Sequence, residues 1–119
     1  MTQKFGELFR EERQRAEKRI GEVAQRLRVS LTYLSDVERG TRPPLSSERI
    51  RDAAQFMKLS DGRLTALLAA AAAQQGSFEL PAPTSSKGRE AGAALQRAWG
   101  SLDDETFDQI VGLMREKGK

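Results

Sequence analysis

Apolar residues recur along this chain at intervals of three and four, and this spacing limits the folds it can adopt more than any other feature. Ile20, Val23, Ala24 and Leu27 show the pattern in full, at positions i, i+3, i+4 and i+7. Such a stripe forms one face of an α-helix. Nowhere do β-branched and polar residues alternate over four or more positions, as a half-buried strand requires. The sequence therefore predicts an all-α protein.

Seven helical segments are predicted from this pattern and from residues that cap helix ends. Ser30 is a good N-cap for the third helix, and Gly40 suits the left-handed position that ends it. Ser46 caps the fourth helix, with Leu45 and Ile50 as a hydrophobic staple around it. The predicted segments are 3–16, 20–27, 30–40, one from 46 or 47 to 57, 61–75, 89–99, and a last helix capped by Ser101.

Three stretches of the chain differ in composition. Residues 1–75 hold the first five helices and form one predicted domain. Residues 76–88 contain glycine, two prolines and a Thr-Ser-Ser run, which predicts a linker. Residues 89–119 hold the last two helices, a helical hairpin of about 30 residues that cannot bury enough surface to fold alone.

This C-terminal hairpin is expected to be a dimerisation or partner-binding element. The alternative is that it packs within one chain, on the fifth helix. The residues expected to make the dimer or partner contact are Leu95, Trp99, Phe107, Ile110 and Met114.

The chain contains neither Cys nor His. Their absence excludes disulfides, thiolate and imidazole metal sites, and Cys-His or Ser-His-Asp catalysis. No glycine-rich phosphate loop can be recognised either, so we expect no enzymatic activity, no cofactor and no metal. The chain begins without the apolar core of a signal peptide, and its longest apolar run is far below the about 20 residues of a membrane span. We therefore expect a cytoplasmic protein.

Positive charge is concentrated in the first half of the chain. Residues 1–60 carry 13 Lys and Arg against 9 Asp and Glu, whereas residues 61–119 carry 7 against 8. A basic half favours a polyanionic partner, although a solvated surface would show the same excess.

The second and third helices are joined only by Arg28-Val29-Ser30. So short a turn between two short helices is typical of helix-turn-helix geometry, which presents the second helix as a projecting ridge. The stretch VAQRLRVSLTYLSDVERG, followed by Pro43-Pro44 and by AAQFMKLS, closely resembles the DNA-binding domain of the Cro/C1-type (XRE) repressors. The resemblance covers roughly residues 5–70. It implies a five-helix, lambda-repressor-like helix-turn-helix domain, to which the last two helices form a C-terminal appendage.

The resemblance implies that the third helix enters the major groove of DNA. Its polar side carries Leu31, Thr32, Ser35 and Asp36. Leu31, Thr32 and Asp36 match family positions that meet base edges. Leu31 and Thr32 suit a thymine methyl group, and Asp36 could accept a hydrogen bond from cytosine N4. Two alternatives stay open: Leu31 belongs to the core, or Asp36 pairs with Arg39 or Arg10.

Contacts to the DNA backbone are expected around this helix. The start of the second helix offers amide groups and a positive dipole end to a phosphate at Arg19 and Ile20. Tyr33 either reaches a phosphate through its hydroxyl or packs into the core. The residues expected to contact the backbone are Arg19, Ile20, Arg28, Ser30, Tyr33, Arg39, Thr41 and Arg42.

Two charged residues fall on apolar helix faces. Arg13 follows Phe5 and Phe9 at a spacing of four, and Glu38 lies on the apolar side of the third helix. Each alone would be a costly buried charge, so we expect a structural ion pair between them. The matching residues pair in the family.

The sequence departs from the family pattern at two points. Lys18-Arg19 stand where the family usually has an apolar residue and then Ser or Thr, which gives the second helix a poorer cap. Arg28 stands where the family often has glycine. An arginine in the left-handed conformation costs about 1 kcal/mol, so either the turn is strained or Arg28 makes a contact that offsets the cost.

These features predict a sequence-specific DNA-binding transcriptional regulator of bacterial or phage type, a repressor that binds a pseudo-palindromic operator as a homodimer. The alternative is an antitoxin or an adaptor, a protein-interaction module on the same fold with DNA binding secondary or lost. The expected partners are double-stranded DNA and a second copy of the chain. A protein partner at the C-terminal helices is the further option, and no membrane is expected.

Overall fold

The structure, a computed structural model, describes residues 4–78, 80 and 82–117. Over these residues it contains seven α-helices, one 3-10 turn and no strand. The predicted all-α fold is therefore confirmed. The helices, α1 to α7, are Phe5–Arg15, Ile20–Leu27, Leu31–Arg39, Ser47–Phe56, Asp61–Gln75, Ser86–Ala98 and Asp104–Lys117.

The chain divides into two compact units, Met1–Glu79 with α1 to α5 and Leu80–Lys119 with α6 and α7. All five helices of the first unit contribute to one hydrophobic core, and the apolar stripes of the sequence supply it. Phe9, Leu34, Ile50 and Leu67 are completely buried there. The other buried apolar residues are Phe5, Val23, Ala24, Leu27, Val37, Leu45, Ala53, Ala54, Met57, Ala70 and Ala71.

Serine side chains begin three of these helices. The hydroxyls of Ser30, Ser46 and Ser60 accept hydrogen bonds from the amides of Tyr33, Arg49 and Arg63, respectively, at 3.0, 3.3 and 3.3 Å. Each bond satisfies one of the amide groups that have no partner within the helix.

The start of α1 is held from a distance. The predicted first residue, 3, lies outside the described part of the chain, and α1 itself begins at Phe5. Lys4 offers no side-chain cap. Instead the Phe5 amide donates to Oε1 of Gln74 in α5, at 2.6 Å. The last turn of α5 thus caps the first turn of α1.

In the second unit, α6 begins earlier than the sequence predicts. Residues 86–88 were expected in the linker, but they form the first turn of α6. Ser85 is responsible, because its hydroxyl accepts a hydrogen bond from the Gly88 amide at 3.0 Å. A serine cap of this kind stabilises the start of a helix by about 1 kcal/mol.

The predicted cap of α7 was wrong. Ser101 lies in the 3-10 turn Trp99–Ser101, and its hydroxyl donates to the Ala98 carbonyl at 2.8 Å. The capping residue is Asp103, which accepts hydrogen bonds from the Thr106 hydroxyl at 2.6 Å and the Thr106 amide at 2.9 Å. Both bonds lower the pKa of the Asp103 carboxyl below its usual 3.8, and the bond from the Thr106 hydroxyl has the larger effect.

None of the described residues of the second unit is buried. The Trp99 and Phe107 rings make an edge-to-face contact, with centroids 5.0 Å apart. Leu95, Trp99 and Met114 are 38%, 51% and 58% exposed. Among the described helices of both units, none is both long and apolar enough to span a bilayer.

Candidate nucleic-acid interface

The turn between α2 and α3 is three residues long and sharply bent. Arg28 adopts the left-handed conformation, with φ 59° and ψ 42°. This lets the Val29 amide donate to the Ala24 carbonyl at 3.0 Å, and Ser30 then caps α3. An L-residue with a side chain is disfavoured in this conformation, so the backbone of the turn is strained at Arg28.

The two sides of α3 have different roles. Leu34, Val37 and Glu38 are buried against the first unit's core. Thr32 is exposed and Ser35 is half-buried. Leu31 is 53% exposed, so it belongs to the outward side and not to the core. The structure thus leaves Leu31 and Thr32 on a free surface of the helix.

The far end of α3 is fixed to α1 by an ion pair. Nε of Arg13 donates to Oε2 of Glu38 at 2.7 Å, and Nη2 donates to Oε1 at 3.0 Å. Nη1 donates to the Lys18 carbonyl at 3.0 Å. Only 12% of the Arg13 side chain and 6% of the Glu38 side chain are exposed. A two-point pair of this kind fixes direction as well as distance, so it sets the angle at which α3 projects.

Asp36 is engaged by two arginines. Its carboxylate pairs with Arg39 and also lies 3.7 Å from Nε of Arg42. The Thr41 hydroxyl donates to the Asp36 carbonyl at 3.2 Å and so fastens the following loop to α3. The alternative in which Asp36 pairs with Arg39 is therefore the one the structure adopts. Two of the expected phosphate-binding residues, Arg39 and Arg42, are held at the carboxylate.

Residues 4–68 match the family model of a helix-turn-helix domain, of the XRE/Cro-type class. The chain belongs to this helix-turn-helix family. The match spans more than half of the chain and ends before the last turns of α5. No curated protein and no solved structure is significantly similar to the sequence. The family assignment confirms the resemblance seen in the sequence and indicates a DNA-binding regulator.

The N-terminus of the first helix of this helix-turn-helix is partly occupied. Arg19 precedes α2 and supplies no side-chain acceptor. The Glu22 carboxylate accepts a hydrogen bond from the Arg19 amide at 2.9 Å. Arg19 and Arg28 are exposed, whereas Ile20 is half-buried and packs against the core. A phosphate at the N-terminus of α2 would therefore lie near the side chains of Arg19 and Arg28. It would also lie near the Glu22 carboxylate, which already accepts the hydrogen bond of the Arg19 amide.

The Tyr33 ring contacts two arginines of the first unit. The guanidinium carbons of Arg42 and Arg49 lie 5.4 and 5.9 Å from the centroid of its half-buried ring. Cation–π contacts of this kind hold a guanidinium in place while leaving its N–H groups able to donate. The ring therefore positions positive charge on the surface next to α3.

Sequence reasoning missed Arg49 as a part of this basic surface. Arg49 is the third residue after the Ser46 cap, so it stands at the N-terminal end of α4, where an anion is favoured. Its position three residues after a capping serine was the sequence signal that could have indicated Arg49.

It also missed the buried carboxylate Glu12, which is 4% exposed. Arg15 and Arg63 hold Glu12 at 3.0 and 3.5 Å, respectively. Arg15 is a local partner, three residues along α1, but nothing in the sequence of α1 indicates the contact with Arg63, which comes from α5.

Proposed function

We propose that the protein is a sequence-specific DNA-binding transcriptional regulator, acting as a repressor on a pseudo-palindromic operator. The observation that carries this proposal is the two-sided character of α3. Its inner side is fixed by the core and by the Arg13–Glu38 ion pair, while Leu31 and Thr32 are exposed on its outer side. A helix fixed in this way and projecting from the surface suits the major groove.

The exposed residues of α3 define the proposed base contacts. Leu31 and Thr32 lie at its N-terminal end, where recognition helices contact base edges. Either can place a methyl group against thymine, and the Thr32 hydroxyl can also donate or accept. Ser35 and Asp36 come one turn later. Asp36 becomes available to a cytosine amino group only when Arg39 and Arg42 turn to phosphates.

The proposed phosphate contacts surround this helix. Arg19 and Arg28 lie on the α2 side, and Arg39 and Arg42 lie at the end of α3. To these we add Arg49, which shares Tyr33 with Arg42. Ile20, Ser30 and Thr41 would contribute backbone or hydroxyl groups. Arginines that flank a reading helix supply affinity and fix register, but they carry no sequence information by themselves.

A single recognition helix reads only a few base pairs, so we propose a homodimer that reads two half-sites. The surface offered for the dimer contact is the C-terminal hairpin, in which Leu95, Trp99, Phe107, Ile110 and Met114 are exposed or half-buried.

The test is selection from a pool of random DNA duplexes with the purified full chain at about 150 mM salt. The proposal expects an inverted repeat whose half-sites lie about one helical turn, or a multiple of it, apart. Thr32→Ala should relax one position of the selected site. Arg42→Ala should weaken binding to all sequences alike. Arg97→Ala, outside the helix-turn-helix domain, is the matched arginine control and should change neither.

A pool from which no sequence is enriched would contradict sequence-specific binding. Binding that also disappears steeply with salt would then be a phosphate contact alone. In that case the second candidate, an antitoxin or adaptor, takes precedence, and the observation that favours it is the exposed apolar surface of the second unit. Capture of a defined protein partner by the full chain, lost on Trp99→Ala in the exposed apolar surface, would be its positive test.

A further inference from the structure

Helix α7 carries an apolar stripe that is largely open to solvent. Phe107, Ile110, Val111 and Met114 follow one another at positions i, i+3, i+4 and i+7. Val111 and Met114 are 45% and 58% exposed, and Phe107 and Ile110 are half-buried. A continuous stripe of this kind on a 14-residue helix is expected to be covered by another apolar surface.

The stripe has the same spacing when it is read in either direction. Reversing the helix about the midpoint between Ile110 and Val111 exchanges these two residues and exchanges Phe107 with Met114. A helix whose apolar residues match themselves on reversal can pack against a second, antiparallel copy with every apolar position facing an apolar position.

Charge favours that orientation over a parallel one. Asp104 and Glu105 lie in the first turn of α7, and Arg115 and Lys117 lie in the last turn. Parallel copies would bring acidic ends together and basic ends together. Antiparallel copies bring each acidic end to a basic end, and opposite macrodipoles also lie side by side.

We propose that α7 pairs with the α7 of a second copy in antiparallel orientation, around a two-fold axis that passes between Ile110 and Val111. This rests on the homodimer proposed above, and it specifies the contact. The Phe107 ring lies against the Met114 thioether of the copy, a contact favourable for sulfur and aromatic groups. Ile110 lies against Val111 of the copy.

One flank of the stripe supplies a specific charge contact. Asp104, Asp108 and Arg115 are spaced at i, i+4 and i+11, so they line the same side of the helix. A two-fold axis brings equal flanks of the two helices together. Along the helix axis, Arg115 of the copy then lies about midway between Asp104 and Asp108, at an axial distance of about 3 Å from each. Glu105 lies at the same level as Glu116 of the copy. Both residues are on the side of the helix that points away from the stripe, so their carboxylates do not face each other across the contact.

Charge reversal in the full chain tests this contact, with the dimer dissociation constant measured by sedimentation equilibrium. Arg115→Glu should weaken the dimer by about tenfold, because each reversal acts twice in a two-fold pair. Adding Asp108→Arg in the same chain should restore most of the loss. Glu116→Lys, on the far side, is the matched control and should leave the dissociation constant within about twofold.

Orientation is read directly by cross-linking, since the chain has no native cysteine. Asp104→Cys and Arg115→Cys chains are mixed and treated with a bismaleimide much shorter than the about 20 Å between the two 104 positions of an antiparallel pair. We expect cross-links between the two variants in the mixture and none from Asp104→Cys alone.

Each other result overturns the proposal in a recognisable way. A dimer that cross-links through Asp104→Cys alone is parallel. A dimer that Arg115→Glu leaves unchanged pairs through another surface. In both cases the proposed homodimer stands and only the α7 contact fails. A chain that stays monomeric at tens of micromolar would contradict the proposed homodimer as well. The DNA selection described above tests sequence-specific DNA binding independently of this result.

Discussion

Gly6 of α1 lies directly against the last turn of α3, at Glu38. A β-carbon built on Gly6 would stand 2.5 Å from the carbonyl oxygens of both Val37 and Glu38. These are backbone atoms, so they cannot rotate away as the end of a side chain can. The absence of a side chain at Gly6 therefore lets α1 approach α3 closely, at the same end that Arg13 holds through Glu38.

Gly6→Ala should destabilise the first unit, although alanine is the better helix former by about 1 kcal/mol. The two helices must move apart to admit the methyl group, and overpacking of this kind costs about 1–3 kcal/mol or more. Urea unfolding followed by circular dichroism measures the change. If α3 shifts with its last turn, affinity for the selected DNA site falls as well.

Gly62→Ala is the matched control for this substitution. Gly62 also lies inside a helix, α5, but a β-carbon there would have no neighbour within 4 Å. Alanine should stabilise the protein at that position by up to about 1 kcal/mol. Equal effects of the two substitutions would show that the close approach at Gly6 does not constrain the fold.

Arg13→Ala should cost about 3–5 kcal/mol of folding free energy, because it leaves the Glu38 carboxylate buried without its partner. The double substitution Arg13→Met with Glu38→Leu removes both charges and should recover most of this loss. Thermal and urea melts of the single and double variants measure the difference. A melt of Arg13→Ala that coincides with that of the unaltered chain would mean that water replaces the guanidinium at Glu38.

The helix periodicity and the capping residues allowed much of the first unit to be predicted from the sequence. Ser30 and Gly40 bound α3 as expected, and the spacing of Phe5, Phe9 and Arg13 placed the arginine on the apolar face of α1. These features depend on residues within a few positions of each other. Local spacing determines them, so they can be read without knowing the tertiary structure.

What could not be predicted depends on distances between helices. In the sequence Gly6 cannot be distinguished from Gly62, and nothing near Phe5 points to Gln74, which is 69 residues away. The prediction of the α7 cap was wrong for a different reason. Ser101 and Asp103 are both good caps, and the intervening 3-10 turn decides between them.

At the candidate site, the sequence identified the outward side of α3 but left two roles open. The structure decides that Leu31 is exposed and that Asp36 pairs with Arg39 and Arg42. The Asp36–Arg42 contact depends on the path of the loop after Gly40, which side-chain spacing along a helix does not specify. Binding to DNA itself stays a prediction.

Arg28→Gly should separate stability from DNA binding. Glycine removes the left-handed strain of about 1 kcal/mol at the turn, but the larger entropy of the unfolded chain offsets about 0.4–1 kcal/mol of this gain, so the free energy of unfolding should rise by no more than about 0.6 kcal/mol. Affinity for DNA should fall, because an exposed arginine beside α3 is lost. The two quantities come from urea melts and from fluorescence anisotropy with the selected duplex.

Lys58→Gly is the control for that pair of effects. Lys58 follows α4 with a φ of 56°, almost the same as the 59° of Arg28, but it is not among the proposed DNA contacts. It should stabilise the protein by a similar amount and leave DNA affinity nearly unchanged. A loss of affinity in Lys58→Gly equal to that in Arg28→Gly would remove Arg28 from the phosphate contacts.

Asp36→Asn should strengthen binding to duplexes of unrelated sequence. The neutral amide no longer holds Arg39 and Arg42 by charge, so both become free to meet phosphates. The slope of log K against log salt should then steepen by about one unit for each arginine released. Specificity should fall, since the added affinity is the same for every sequence.

Asp52→Asn is the matched control for Asp36→Asn. Asp52 pairs with Arg26 at 2.9 Å, and this ion pair joins α2 to α4 and lies outside α3. It should leave both the affinity and the salt slope nearly as they are. Weaker binding of Asp36→Asn to the selected site, with no gain on unrelated duplexes, would instead mean that the Asp36 carboxylate accepts a hydrogen bond from a base. The sign of the change on unrelated DNA therefore distinguishes a carboxylate that restrains two arginines from one that reads cytosine.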